Sequence, residues 1–157
     1  MSARAESLAA KVEKVNGDLL AATESATPEQ WTAKCADGVW TQGFSAFHAA
    51  TSIGFITGMV KGIADGEPFP PTTMEQIDAG NAEMAKANAG CTKAQAVDLI
   101  KSSAPGAASM VRSLTDEQLD RKTTLLQGMP EMSVEQVIEM LLIGHAEGHR
   151  QSIIKAR

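Results

Sequence analysis

The chain has 157 residues, with 14 Lys and Arg against 19 Asp and Glu, and a net charge of −5. No basic run stands out in so acidic a chain, which argues against nucleic acid as a partner; the length predicts one domain over residues 1–157. Cys35 and Cys91 stand in no CxxC pair and the opening MSARAESLAAKVEK has no apolar core, so the expectation is a cytoplasmic protein with reduced thiols; the lack of tyrosine removes a phenol from any chemistry.

The first predicted helix, about 3–24, carries one apolar stripe of Leu8, Val12, Val15 and Leu19 at three- and four-residue steps. TPEQW follows, with Thr27 as N-cap, Pro28 at the first helical position and Gln30 completing a capping box, which predicts a short helix over 27–31. A long apolar helix, about 41–65, opens at Thr41 and is stopped by Gly66 and the prolines at 68, 70 and 71. Its core, GFSAFHAATSIGFITGMV, is interrupted by Gly, Ser, Thr and His, which predicts a buried helix and no membrane span. A polar, weakly periodic helix is predicted over 72–88. Thr92 with Gln95 opens a helix over 92–113 that Pro105-Gly106 is expected to kink. Thr115 with Gln118 opens a short cap over 115–119, and Ser133 with Gln136 opens the last helix, 133–156. Leu114 with Leu119, and Met132 with Val137, are spaced as hydrophobic staples. No strand-like alternation of useful length is present. These elements predict an all-α four-helix bundle. The connection of about 25 residues between the second and third long helices lets those two lie parallel, with the extra helix in the crossover.

Only three histidines occur, and two of them stand four apart in GHAEGHRQSI. Residues four apart on a helix differ by about 40° in direction, so His145 and His149 share a face, with Val134, Ile138, Leu141 and Ser152. His48 falls in line with Phe44, Thr51, Phe55 and Met59 and is likewise expected to point inward. It lies seven residues after Thr41, about 10 Å along its helix. If the second and fourth helices run antiparallel, all three histidines reach one level of the bundle. A satisfied core histidine is the ordinary explanation of one inward imidazole. Three that converge favour a divalent metal on His48, His145 and His149, with open positions for water or a small-molecule substrate. Proton competition then predicts that metal occupancy falls on acidification through about pH 6.5.

The spacing excludes the HExxH arrangement of zinc proteases, because Ala146 follows His145. Glu147 faces the other side of the helix and is read as a solvated charge. No inward carboxylate is found, so no catalytic residue is assigned. Trp40, Thr51 and Ser152 are candidates to line the pocket, although helix-interior hydroxyls and tryptophan packing anchors are as common; Trp31 is read as an anchor. Met59, Met129, Met132 and Met140 are read as core or gap fillers. Gly54, Gly58 and Gly62 form a ridge; another helix, from this chain or a second subunit, is expected to approach at Gly54 and Gly58, while Gly62 is read as tolerated flexibility near the helix end.

VWTQGFSAFH resembles a signature of the DinB-like family, in which a Trp-Ser or Trp-Thr opens the second helix and a metal-binding His follows eight positions after the Trp, as His48 follows Trp40. HAEGHRQSI resembles the HxxxHR-x-x-I segment of that family's fourth helix, and TPEQW and LTDEQL resemble its two short caps; the resemblance covers residues 5–155. It implies an up-down-down-up topology, a nickel or zinc ion on the three histidines, and a homodimer. It also implies the chemistry of characterised members: thiol S-transferases using bacillithiol or mycothiol, and a mycothiol-dependent maleylpyruvate isomerase. Ala49 replaces a leucine common after the first histidine, a departure expected to open the pocket and spare the metal. No thiol-binding residue can be placed on this chain. Two functions are therefore expected: a metal-dependent transferase or hydrolase using a low-molecular-weight thiol or water, or a non-catalytic metal-binding protein of a stress response.

Overall fold

Serine and threonine caps set where each helix begins. The computed structural model describes residues 2–157. Ser2 accepts from the Ala5 amide at 3.1 Å and opens α1 (Ala3–Glu24), which buries Leu8, Val12, Val15 and Leu19. The capping boxes expected at Thr27, Thr92, Thr115 and Ser133 are all formed, and they open α2 (Pro28–Thr32), α5 (Lys93–Arg112), α6 (Asp116–Asp120) and the fourth bundle helix. A fifth box, Thr73 with Gln76, opens the crossover helix α4 (Met74–Ala87). Thr41 caps α3 (Gln42–Asp65), which ends on Gly66 in the left-handed region at φ 88°, where a side chain would be strained. α5 continues through Pro105 and Gly106. Two short strands, β1 (Lys122–Thr123) and β2 (Met132–Ser133), pair antiparallel just before the last helix.

Ion pairs and caps fix the directions. Arg4 meets Asp120 and Glu135, and Arg157 reaches the Ala22 carbonyl at 2.8 Å, so α1 runs parallel to the fourth helix. Arg112 pairs with Glu6 and Glu13 while Lys101 pairs with Glu24, so α5 runs antiparallel to α1. α3 runs parallel to α5: the Trp31 indole beside its start donates to the Cys91 carbonyl just before α5, and Gly54 lies near Ser103. Its start faces the end of the fourth helix. The bundle is up-down-down-up, with the core drawn from one face of each long helix.

The last helix departs from the regular period. α7 (Val134–Val137) passes into a π-helical segment, Ile138–Gly144, and then into α8 (His145–Ile154). The wider turn advances the phase, so Leu142 is buried at 3% exposure where regular spacing placed Leu141. Gly144 sits where the widened backbone is crowded: a Cβ there would lie 3.2 Å from the Glu139 carbonyl oxygen.

Other expectations fail for identifiable reasons. Phe55 shares His48's direction yet is 75% exposed. The buried arc of α3 runs through Ala49, Ala50, Ile53, Ile56 and Val60, and His48 lies on its flank, covered by Trp40 and Met84; nothing comparable covers Phe55. Met129 and Met140 are exposed, because one lies in the loop before β2 and the other on the outer side of the π-helical segment, whereas Met59 and Met132 pack against the core. Among the described residues no helix closes on Gly54 or Gly58, and the close neighbour of Gly62 is the Glu67 side chain just beyond the helix end, 2.9 Å from where a Cβ would stand. A Cβ on Gly58 would meet nothing within 4 Å, and one on Gly54 only Ser103 Oγ at 3.7 Å. The closest approach to any described glycine is at Gly43, where a Cβ would stand 2.4 Å from the Trp31 ring. Gly43→Ala is expected to push Trp31 off its bond to the Cys91 carbonyl and to destabilise the protein by about 1–3 kcal/mol. Urea unfolding followed by tryptophan fluorescence measures it; an unchanged midpoint would show that the indole moves freely.

Candidate metal centre

His48 stands two turns into α3 and is buried, its position set by the Thr41 cap and by Phe44 packing against Trp40 at 4.8 Å between centroids. His145 is the first residue after the π-helical segment and His149 lies one turn on. The buried stripe of this helix is Ile138, Leu142, Ala146 and Ile153, and both histidines stand on its flank toward α3.

His48 Nε2 lies 3.2 Å from His145 Nε2, and His149 Nε2 lies 3.1 Å from the same atom. The ligating atoms of all three residues fall within 4.8 Å of one another. A ring nitrogen has one in-plane position, for a proton or a lone pair, so His145 Nε2 cannot make full hydrogen bonds to two nitrogens at once. A shared cation resolves the conflict by taking a lone pair from each. Nitrogens about 3.1–3.2 Å apart, each about 2.0–2.1 Å from a metal, subtend about 100° at it, between octahedral and tetrahedral angles. The donor set therefore fits a divalent cation.

Burial pushes the pKa of His48 down to about 4, with the neighbouring His145 adding to the effect. His149 is pushed down to about 3, by burial first and then by His145 and His48, with Asp37 opposing. His145 is lowered by burial alone. Neutral imidazoles are the form a metal takes, and they persist well below pH 6.5 here. The acid loss of a bound metal, expected near pH 6.5 from the free imidazole, is thus displaced downward.

Trp40 belongs to the site. Its indole lies parallel to the His149 ring at 5.8 Å and packs on His48 at 4.9 Å. Thr51 turns its hydroxyl back to the His48 carbonyl at 2.9 Å, with Met84 Sδ at 3.8 Å. Ser152 donates to Asp37 Oδ2 at 2.9 Å and does not reach the histidine nitrogens. Glu147 is held by Arg150 and Gln151, which push its carboxyl down to about 2, outside the site as expected. Ala49 is buried in the core at 1% exposure.

Two neighbours have no signal in the sequence. Ser45 Oγ lies 2.8 Å from His149 Nδ1, a contact between helices a hundred residues apart. Met84, on the weakly periodic crossover helix, puts Sδ 3.4 Å from His48 Nδ1. Two surface depressions lie away from the histidines, one around Ser109, Arg112 and Asp116 and one around Lys11, Lys14 and Arg150.

Fold and site together define a helical bundle with a three-histidine centre able to hold a divalent metal. The family model of the DinB superfamily matches residues 11–153, and the chain belongs to that superfamily. No curated protein matches it. Among solved structures it is similar to YfiT from Bacillus subtilis, a probable metal-dependent hydrolase with an unusual four-helix bundle topology. The TM-score is 0.78 at 18% identity, over 99% of this chain and 87% of that one, which is a likeness of fold.

Proposed function

We propose that the protein is a metal-dependent enzyme acting on a small molecule, with a nickel or zinc ion held by the Nε2 atoms of His48, His145 and His149. The observation that carries this reading is the donor count. Among the described residues, three histidines converge and no Cys, Asp or Glu joins them. Three protein ligands leave room for an exchangeable one, the pattern of catalytic rather than structural sites. A metal so held lowers the pKa of bound water or a bound thiol, giving a nucleophile near neutral pH. The chain's own contribution is to hold the ligands neutral by burial and to wall the site with Trp40 and Met84.

The nucleophile is water in a hydrolase reading, supported by the description of YfiT, or a low-molecular-weight thiol, supported by the resemblance to bacillithiol- and mycothiol-dependent transferases. We further place the protein in the cytoplasm as a homodimer. Both cysteines are free, no helix of the described residues is long and apolar enough to cross a membrane, and exposed Phe55 beside open Gly54 and Gly58 suits a self-complementary contact. The test is to load untagged protein with Zn²⁺ or Ni²⁺ and assay an ester and amide panel, then thiols with a chlorinated aromatic electrophile. Turnover that disappears on chelation and returns with metal supports the enzyme. Stoichiometric metal with no turnover on either panel would leave the metal-binding, non-catalytic function.

A further inference from the structure

The crossover helix α4 is anchored at its two ends and held loosely between them. Before it, the Thr72 amide donates to the Leu125 carbonyl at 3.0 Å and the Gln127 amide to the Thr72 carbonyl at 2.9 Å. After it, the Trp31 indole donates to the Cys91 carbonyl at 2.9 Å. None of the 14 residues of α4 is buried. Its inner stripe of Ile77, Asn81, Met84 and Ala85 is half-buried and partly polar, so little apolar area holds it down. Among the described residues no ion pair reaches α4. Met84 is its link to α3: Sδ lies 3.4 Å from His48 Nδ1 and 3.8 Å from the Thr51 hydroxyl.

We propose that α4 is a strap latched by Met84, whose thioether accepts the proton that metal ligation places on His48 Nδ1, so that docking of α4 and binding of the metal strengthen each other. An imidazole that gives its Nε2 lone pair to a metal carries its proton on Nδ1 and can only donate there. For His48 the acceptor on that side is Met84 Sδ. When the proton sits instead on His48 Nε2, toward His145 Nε2 at 3.2 Å, Nδ1 is a bare lone pair and offers the sulfur no donor. The metal therefore selects the tautomer that Met84 holds. By linkage, the factor by which the metal favours docked α4 is the factor by which docked α4 favours the metal. An outer partner of this kind fixes the tautomer and orientation of a ligating ring. A thioether is a weak acceptor, which suits a latch that releases. Met84 is a positioning residue: it acts on the metal through His48.

This latch rests on the three-histidine metal site, and the experiment separates the two. Zn²⁺ affinity of purified protein is measured by competition with a chromophoric chelator, and hydrogen–deuterium exchange of the α4 amides by mass spectrometry with and without Zn²⁺. In the metal-free protein α4 should exchange faster than α1, α3 and α5, whose apolar faces are buried. Bound Zn²⁺ should slow exchange in α4. Met84→Leu keeps the bulk and removes the acceptor. It is expected to weaken Zn²⁺ binding by about 3–10-fold, at the foot of the 10–100-fold range for an outer partner, because a thioether accepts weakly. The slowing of α4 by Zn²⁺ should shrink by a like factor. Met84→Ala, which removes the packing as well, should weaken binding at least as far. If Met84→Leu folds poorly, the wild-type exchange comparison carries the test. Wild-type affinity in Met84→Leu, or α4 exchange that is the same with and without bound Zn²⁺, would overturn the strap and leave the metal site standing. A wild-type protein that binds no Zn²⁺ would overturn both.

Discussion

His145→Ala and His149→Ala are expected to abolish stoichiometric metal, and His48→Ala to weaken it severely. The ranking follows from geometry. His145 Nε2 is the common neighbour, 3.2 Å from His48 and 3.1 Å from His149, so its loss leaves two nitrogens without the one that joins them. His145 and His149 lie on one helix at a spacing the backbone enforces, so together they remain a two-point site when His48 on α3 is removed. Losing a direct ligand should cost at least the 10–100-fold that losing an outer partner costs. Metal analysis of untagged protein after exhaustive dialysis measures it, with far-UV circular dichroism to show that each variant is folded. Full occupancy in all three single variants would remove histidine ligation, and the proposed enzyme with it.

Much of this site is legible in the sequence because it depends on local rules. A capping box is a three-residue pattern, and Thr27, Thr92, Thr115 and Ser133 start helices where the pattern says they should. His145 and His149 share a face because four residues make about one turn, and the eight-residue step from Trp40 to His48 lays the indole on the imidazole. What the sequence hides is set by partners far along the chain or by a break in the period. The π-helical segment shifts the buried position from Leu141 to Leu142, and no composition signal marks it. Phe55 shares His48's direction, but direction decides burial only where something lies over the face. Ser45 and Ser152 are unremarkable hydroxyls on their own helices; their meaning comes from His149 and Asp37 across the gap. Met84 sits on a helix too polar to predict where it docks, and the crossover brings it over His48.

The metal-free protein should lose stability steeply as the pH falls from about 6.5 toward about 4. In the unfolded chain an imidazole takes up its proton near pH 6.5, whereas in the fold burial holds His48 down to about 4 and His149 lower still. Between those limits the unfolded state binds more protons than the folded one, so unfolding is favoured as pH falls. Stability is therefore highest and level above about pH 6.5, declines through the window, and levels again once the folded state is also protonated. For His48 alone, the gap between 6.5 and about 4, at about 1.4 kcal/mol per pKa unit, amounts to about 3 kcal/mol, a large part of an ordinary folding free energy. A bound divalent metal adds to this, because it binds only the fold and keeps the imidazoles unprotonated, so the loaded protein should hold its midpoint to lower pH than the metal-free one. The measurement is urea unfolding at half-unit pH steps, with and without Zn²⁺. His48→Gln removes one titrating group and should flatten the metal-free slope between pH 6.5 and 4. A metal-free midpoint that stays level across that window would show that the three imidazoles are open to protonation in the fold, and that the bundle does not hold them neutral for a metal.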